Sequence, residues 1–149
     1  MIREATITDV EQICDVLRRS IIELCELDHQ GDEEKLNEWL ENKTVQNCQN
    51  WVKHERTNFF VAERNGKIVG VCSISHDGYI SLCYVLPEIK GHGIGTQLLK
   101  AAEASVLSLG VQSFSLESTI TAKGFYERLG YIHTGGSQNR PKYEKSTKP

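Results

Sequence analysis

The sequence has no long apolar run, since no stretch approaches the ~20 consecutive apolar residues that span a bilayer. Its first residues, Met1-Ile2-Arg3-Glu4, lead directly into a strand-like pattern that gives no sign of a signal peptide. The net charge of −3, with both signs interspersed, lacks the positive excess that is typical of nucleic-acid-binding proteins. We therefore expect a cytoplasmic protein that binds neither a membrane nor a nucleic acid.

Motifs for metals and disulfides are also missing. The five cysteines form no CxxC pair, and the five histidines form no His-Glu-x-x-His pattern. An odd number of scattered cysteines is typical of reduced thiols, and a chain of 149 residues buries enough surface to fold without cross-links. We expect no metal site, and we expect one domain over residues 1–149.

Hydrophobic periodicity divides the chain into helices and strands. A capping box of Thr8 and Glu11 predicts the start of the first helix, and Gly31-Asp32 is expected to end it. Asn65-Gly66 predicts a hairpin, so the central strands form an antiparallel meander within an α/β fold. The predicted elements are a strand at 2–6, a helix from residue 10, helices at 33–41 and 45–55, strands at 58–64, 67–75 and 79–85, a helix to about Leu109, a strand at 113–118, a helix at 122–129 and weak strands at 131–134 and 142–145.

A glycine-rich segment joins the third meander strand to the next helix. It reads Lys90-Gly91-His92-Gly93-Ile94-Gly95-Thr96, and its glycines leave the backbone open to close approach by an anion. The first-turn amides of the helix have no intrahelical partners, and the helix dipole adds partial positive charge there. These features predict a pyrophosphate site, with Lys90 and His92 adding side-chain donors at its mouth.

Two better-known phosphate loops do not fit this segment. A P-loop requires Gly-Lys-Ser/Thr directly before its helix, and that sequence is absent. The Rossmann pattern G-x-G-x-x-G fails because its last position holds Thr96 when counted from Gly91 and Leu98 when counted from Gly93. The other alternative is a glycine-rich turn without a ligand, against which the backbone entropy cost of three glycines argues.

Two segments together resemble one enzyme family. Residues 84–99, Tyr-Val-Leu-Pro-Glu-Ile-Lys-Gly-His-Gly-Ile-Gly-Thr-Gln-Leu-Leu, are similar to motif A of the GNAT family of N-acetyltransferases. Residues 122–131, Ala-Lys-Gly-Phe-Tyr-Glu-Arg-Leu-Gly-Tyr, resemble a later segment of that family, and residues 2–9 resemble its first strand and helix. The resemblance implies a GNAT fold, with a mostly antiparallel twisted sheet flanked by helices. It also implies acetyl-CoA as cosubstrate and transfer of its acetyl group to a primary amine.

The resemblance implies roles for individual residues. Tyr84 and Val85 would offer main-chain groups to the pantetheine arm and the thioester carbonyl of the cofactor. Tyr126 would act as general acid and protonate the departing thiolate, while Thr119 and Phe125 would lie against the cofactor. Alternatively, Phe125 and Tyr126 only pack the last helix.

The sequence departs from the family pattern at two of these positions. Lys90 stands where the family has Arg or Gln, so positive charge is kept but planar, bidentate donation is lost. We expect backbone amides to carry most of the phosphate binding. Thr119 stands where the family often has Asn, so a hydroxyl replaces an amide near the pantetheine arm.

The acceptor side is less constrained by the sequence. Candidates for binding the amine or taking its proton are Glu23, His29, His76 and Glu117, although each is a residue type usually found solvated and ordered water is an alternative base. An acidic excess in segment 18–55 either attracts a cationic amine or forms an ordinary solvated helix face.

The helical insertion before the sheet favours a closed pocket and therefore a small-molecule amine. The alternatives are an N-acetyltransferase for proteins or peptides, which needs an open groove, and a CoA-binding regulatory module without catalysis, against which Tyr126 counts.

Transfer through Cys25 or Cys83 is not favoured because the sequence places no histidine beside either thiol. The sequence leaves open whether two copies of the chain form a homodimer.

Overall fold

The computed structural model describes residues 1–147, in which no helix is long and apolar enough to cross a membrane. The strands are β1 (Ile2–Glu4), β2 (Thr57–Arg64), β3 (Lys67–Ser75), β4 (Tyr79–Val85), β5 (Ser113–Glu117), β6 (Ile132–Gly136) and β7 (Pro141–Ser146). The helices are α1 (Val10–Leu24), α2 (Glu26–His29), α3 (Glu33–Leu40), α4 (Val45–Lys53), α5 (Ile94–Leu107) and α6 (Lys123–Arg128). Short 3-10 turns at Ile7–Asp9 and Pro87–Ile89 precede α1 and the glycine-rich segment.

The seven described strands form one mixed sheet in the order β1-β2-β3-β4-β5-β7-β6. Neighbouring strands are antiparallel except β4 and β5, which run parallel. The β2–β3 hairpin turns at Asn65 and Gly66, whose φ angles of 54° and 75° are those of the tight turns that match strand twist. The predicted hairpin, and the α/β fold with a mostly antiparallel sheet flanked by helices, are thus confirmed.

The start of α1 differs from the prediction. Asp9 Oδ2 accepts a hydrogen bond from the Thr6 amide at 2.8 Å, and Arg3 donates to both Asp9 oxygens at 2.8 and 2.9 Å. The capping box therefore consists of Thr6 and Asp9. The predicted box of Thr8 and Glu11 is wrong because Thr8 lies inside the 3-10 turn, where its hydroxyl bonds to that of Thr6 at 2.8 Å.

The first long helix also ends earlier than Gly31-Asp32. The chain leaves the α-helical conformation at Cys25, with φ of −102° and ψ of 32°, and resumes it in the short α2. Asp32 instead caps α3, where its Oδ1 accepts hydrogen bonds from two first-turn amides at 2.9 and 3.2 Å. The interruption brings Asp28 of α2 to the loop that follows β5.

Helices cover both faces of the sheet. β3 is buried at every position from Ile68 to Ile74, as expected for a strand with neighbours on both faces. Helices α1 and α5 both pack on β3 and β4. Gly70 allows α5 to approach closely, because a Cβ there would lie 2.8 Å from Leu98 Cδ1.

Helix α5 is tied to the C-terminal strands by a buried carboxylate. Glu103 is only 8% exposed. It accepts a hydrogen bond from the Tyr131 hydroxyl at 2.6 Å and forms an ion pair with Lys145 at 3.0 Å. The helix ends at Leu107, two residues before the predicted end. Leu109 itself lies beyond the helix and is exposed.

Candidate active site

A cleft opens where the two parallel strands diverge. β4 and β5 pair only at Tyr79 with Ser115 and at Ile80 with Leu116. From Ser81 onward, this edge of β4 has no partner among the described strands. The gap continues into a cavity of about 930 Å³, which is the size of a small-molecule or cofactor site.

The free edge of β4 presents main-chain groups to this cavity. The Leu86 amide donates to the Val69 carbonyl at 2.8 Å, which fixes the alternation of the antiparallel β3–β4 pair. The main-chain groups of Tyr84 therefore face β3, while those of Cys83 and Val85 point into the cleft. This corrects the expectation that Tyr84 offers main-chain groups; its neighbour Cys83 takes that place, and the Tyr84 side chain lines the cavity instead.

The glycine-rich segment forms one end of the cavity wall. Gly93 is the N-cap residue of α5 and has a φ of +81°, a conformation that side-chain-bearing residues rarely adopt. The Gln97 amide donates to the Gly93 carbonyl at 3.1 Å, so the amides of residues 94–96 precede the first intrahelical bond and have no helical partner. The predicted segment residues in the wall are Lys90, Gly91, Gly93, Ile94, Gly95 and Thr96.

His92 lies beside the wall and not in it. Its ring Nδ1 is 3.2 Å from Nη1 of Arg64, which the sheet brings from the end of β2. Arg128, unlike Arg64, lines the cavity itself. Its Nη1 lies close to Gly124, 3.3 Å from the position that a Cβ on this glycine would take. The sequence offered no signal for either arginine, because Arg64 is distant in the chain and Arg128 is typical of an exposed helix face.

Tyr126 lies in the cavity wall between two aromatic rings. It is 6% exposed, and its ring packs edge-on against Phe125 at 5.1 Å and Tyr131 at 5.8 Å between centroids. No fully buried polar side-chain atom in residues 1–147 lacks a hydrogen-bond partner, and the Tyr126 hydroxyl bonds to none of these residues. The hydroxyl is therefore accessible from the cavity. Burial, with the nearby Cys83, raises the pKa of Tyr126 well above its usual value, so it stays protonated at neutral pH.

The loop after β5 carries Thr119 into the cavity wall. Its Oγ1 accepts a hydrogen bond from the Ala122 amide at 3.1 Å, which leaves the hydroxyl hydrogen for a ligand. Asp28 holds the same loop from α2. Its carboxylate accepts hydrogen bonds from the amides of Ile120 at 2.6 Å and Thr121 at 3.2 Å, and from the Thr121 hydroxyl at 2.6 Å.

The other end of the cavity lies between α3, the turn after it and the β6–β7 turn. The Arg140 guanidinium lies over the Trp39 ring, 4.8 Å from its centroid. Among the residues of segment 18–55 that carry a carboxylate, the wall includes Glu38 alone. The charged side chains at this end are Glu38, Lys43, Glu117 and Arg140, of which the sequence predicted only Glu117.

Three of the four predicted acceptor residues lie outside the cavity wall. Glu23 forms an ion pair with Arg19 at 3.2 Å on the outer face of α1. His29 is buried, and its Nε2 is 3.2 Å from a main-chain carbonyl of α1. His76 lies in the β3–β4 turn, where its Nε2 is 3.1 Å from Asn58 Oδ1. Glu23 lies on an exposed position of α1, and the break at Cys25 places His29 in the short α2, where its ring bonds back to α1.

The two cysteines in the cavity wall, Cys25 and Cys83, are not set up as nucleophiles. Burial raises the pKa of the Cys25 thiol to about 12, so it carries its proton at neutral pH. Cys83 pairs across β3 and β4 with the fully buried Cys72, and both are free thiols. Neither Cys25 nor Cys83 has a hydrogen-bonded histidine among residues 1–147.

The sequence is similar to a known protein family. Residues 27–143 match the model of the family described as Acetyltransferase (GNAT) domain, which is well over half of the chain. The match includes the divergent strands, the glycine-rich segment, the loop after β5 and α6.

Solved structures of similar fold cover almost the whole chain. The PaiA N-acetyltransferase from Thermoplasma acidophilum, solved in complex with coenzyme A, has a TM-score of 0.85 at 21% identity over 98% of both chains. A GCN5-related N-acetyltransferase from Rhodopseudomonas palustris has a TM-score of 0.86 at 20% identity, over 98% of this chain and 94% of that one. Aminoglycoside 6'-acetyltransferase type Ii has a TM-score of 0.76 at 18% identity, over 100% of this chain and 98% of that one. At these low sequence identities, the similarity shows that the fold is shared.

Proposed function

Because the chain belongs to the GNAT family of acetyltransferases, whose cosubstrate is acetyl-CoA, we propose that it acetylates a primary amine of a small molecule by direct transfer in the cleft between β4 and β5. The observation that carries this proposal is the accessible hydroxyl of Tyr126 in a cavity that begins at the glycine-rich segment and ends among charged side chains. The continuous sheet supports treating the chain as one acetyltransferase domain.

We place the cofactor pyrophosphate at the N-terminus of α5. The unpaired amides of residues 94–96 and the dipole of this 14-residue helix favour a bound anion there. Lys90 lines the same wall, and Arg64 with His92 adds positive charge beside it. Since Lys90 is exposed and lacks the fork of an arginine, backbone amides supply most of the binding in this proposal.

The pantetheine arm and thioester would run along the free edge of β4. Val85 and Cys83 turn their main-chain groups into the cleft, at positions two residues apart on one edge. An extended arm fits such an edge as a further strand does, through main-chain hydrogen bonds. The Cys83 amide would then polarise the thioester carbonyl as negative charge develops on its oxygen.

Transfer needs an amine that has lost its proton and a thiolate that gains one. The amine nitrogen attacks the carbonyl carbon, the carbon–sulfur bond breaks, and Tyr126 donates its hydroxyl proton to the sulfur. The acylated nitrogen then releases a proton to solvent, and solvent returns a proton to Tyr126. Burial raises the pKa of Tyr126, which by itself weakens it as an acid. The departing thiolate would lie in the same cavity, where desolvation raises its pKa too and so offsets part of this loss.

We assign the attraction of the protonated amine to Glu117. It is the member of the predicted acceptor set that lines the cavity, and it is exposed, so solvent reaches it. The proton that the amine loses would pass to solvent beside this carboxylate. Glu23, His29 and His76 have no part in this proposal because each lies outside the cavity wall.

A panel of amines tests the proposal. Acetyl-CoA is mixed with monoamines, polyamines, amino acids and peptides, free thiol is measured, and products are weighed by mass spectrometry. Thiol release with an acetylated small amine is the expected result. Acetylation of peptides alone would instead make the chain a protein or peptide N-acetyltransferase. Thermal stabilisation by acetyl-CoA with no thiol release across the panel would make it a CoA-binding module without catalysis.

A further inference from the structure

The acceptor end of the cavity is the end between α3, the turn after it and the β6–β7 turn. Lys43 places a positive charge there without a negative partner. It follows α3 and is only 8% exposed. Its ammonium donates to Asn42 Oδ1 at 2.6 Å and lies 3.5 Å from the Trp39 carbonyl, and both acceptors are neutral. No carboxylate of residues 1–147 forms an ion pair with it. One of the three ammonium donors remains for a ligand.

Arg140 reaches the same end of the cavity from the β6–β7 turn. Its guanidinium lies over the Trp39 ring, 4.8 Å from the centroid, and this contact favours one orientation of the planar fork. Within the described part of the chain, its side chain makes no ion pair. Two elements far apart in sequence therefore bring unneutralised cations into one cavity wall.

The burial of the Lys43 ammonium is unfavourable for folding on its own, whereas Arg140 is exposed to solvent. A buried ammonium without a counter-charge loses hydration that neutral hydrogen-bond acceptors only partly replace. Burial lowers the pKa of Lys43, and the positive charge of Arg140 lowers it further. A bound anion would reverse both effects, because it supplies the missing negative charge at the wall.

We propose that Lys43 and Arg140 bind an anionic group of the acceptor, so that the substrate is an amine that also carries a carboxylate or a phosphate. This inference rests on the proposed function of the cavity. Glu38 and Glu117 line the same end and attract the ammonium of such a molecule. Both signs of charge at one end match a zwitterion better than a simple cationic amine, which Lys43 and Arg140 would repel.

A different role for Lys43 is purely structural, since cations near the last carbonyls stabilise the C-terminus of a helix such as α3. The two roles differ in what a substitution changes. Loss of a helix-end contact lowers stability and affects every acceptor alike. Loss of an anion site changes only the preference for the charged member of a matched pair.

The test compares anionic acceptors with neutral counterparts. The pairs are amino acids with their C-terminal amides and phosphoethanolamine with ethanolamine, measured by thiol release from acetyl-CoA. In the wild type we expect kcat/KM to be at least about tenfold higher for the anionic member of the preferred pair, which corresponds to about 1.4 kcal/mol from a charge-assisted contact. The amino group of an amino-acid amide is less basic than that of the acid, so a larger fraction of it is unprotonated and able to attack at neutral pH. A preference for the acid therefore reports on binding and not on amine reactivity.

Lys43→Met and Arg140→Gln should each remove most of this preference, mainly through KM of the anionic member. Lys53→Met and Arg56→Gln are exposed and outside the cavity wall, so they should keep it. Which pair shows the preference distinguishes a carboxylate from a phosphate. Equal kcat/KM within every pair, or a preference that survives both cavity variants, overturns the inference.

A binding arm separates this inference from the proposed function. N-acetylated amino acids and their amides are titrated calorimetrically into the protein saturated with coenzyme A, and N-acetylated phosphoethanolamine and ethanolamine are compared likewise. Tighter binding of an anionic member, lost in Lys43→Met, supports the anion site even if no amine in the panel releases thiol. Equal or absent binding within every pair overturns it, even if neutral amines are acetylated.

Discussion

Gly95 and Phe125 meet at the wall of the cleft, where a Cβ on Gly95 would lie 3.3 Å from Cζ of Phe125. Gly95 lies within α5, so its requirement is for space and not for an unusual backbone conformation. Phe125 in turn packs edge-on against Tyr126, with 5.1 Å between ring centroids. The width of the cleft beside Tyr126, the proposed general acid in α6, therefore depends on Gly95 in α5.

Gly95→Val should weaken binding of coenzyme A at least about tenfold, because the added carbons push Phe125 into the cavity and overpacking costs about 1–3 kcal/mol. Calorimetric titration with coenzyme A measures this loss. Gln97→Val is the control, since it adds the same side chain to an exposed position of the same turn. Wild-type affinity in Gly95→Val would remove this contact from the cofactor site.

Gly93→Ala should lose about 1–2 kcal/mol of unfolding free energy, because an alanine at a φ of +81° is strained although no atom lies within 4 Å of its Cβ. Gly110→Ala, at a φ of +84° beyond α5, should lose a similar amount. Only Gly93→Ala should also weaken binding of coenzyme A. If both variants bind coenzyme A as the wild type does, the glycine-rich segment does not hold the pyrophosphate.

Local patterns were sufficient for most of the fold. Asn65-Gly66 determined the hairpin because few residues other than these adopt its positive φ angles, and the short turn then sets β2 beside β3. The helical period of α5 and the glycines before it predicted an anion site, and the structure places that segment at the wall of the cavity. Each of these signals lies within about ten residues of chain.

Features that depend on distant contacts were not predictable. Thr6-x-x-Asp9 and Thr8-x-x-Glu11 are both capping patterns, and Arg3 of β1 favours the first by binding Asp9. The choice between Tyr84 and Cys83 as the residue facing the cleft depends on strand register, which pattern alone leaves undetermined.

The acceptor end was the least predictable part of the site. Lys43, in the turn after α3, and Arg140, in the turn before β7, read as ordinary surface cations in the sequence. Only the folded chain, in which Arg140 lies over the Trp39 ring of α3, brings them to one wall.

Asp9→Asn should destabilise the protein by about 1–3 kcal/mol at neutral pH, because it removes charge-assisted hydrogen bonds from Arg3. Those bonds lower the pKa of Asp9 in the folded state below 3.8, so the unfolded state binds more protons as the pH falls. The stabilisation is therefore present above about pH 4 and is lost as the pH falls through the folded pKa.

Denaturant unfolding of wild type and Asp9→Asn between pH 7 and pH 2.5 checks this dependence. The difference between the two proteins should shrink in acid. Asp15→Asn, exposed on α1, should change stability by less than about 0.5 kcal/mol throughout. A difference for Asp9→Asn that does not vary with pH would show that the ion pair is not its source.

Turnover of Tyr126→Phe tests most directly whether acetyl transfer takes place in this cleft. The substitution removes one hydroxyl and keeps the ring that packs against Phe125. Tyr131→Phe is the matched control, because that hydroxyl is bonded to Glu103 and is absent from the cavity wall. With the amine identified in the panel and saturating acetyl-CoA, Tyr126→Phe should lower kcat about 10²–10⁴-fold while leaving affinity for coenzyme A unchanged. Wild-type kcat in Tyr126→Phe, or an equal loss in Tyr131→Phe, would contradict the role of Tyr126 as general acid.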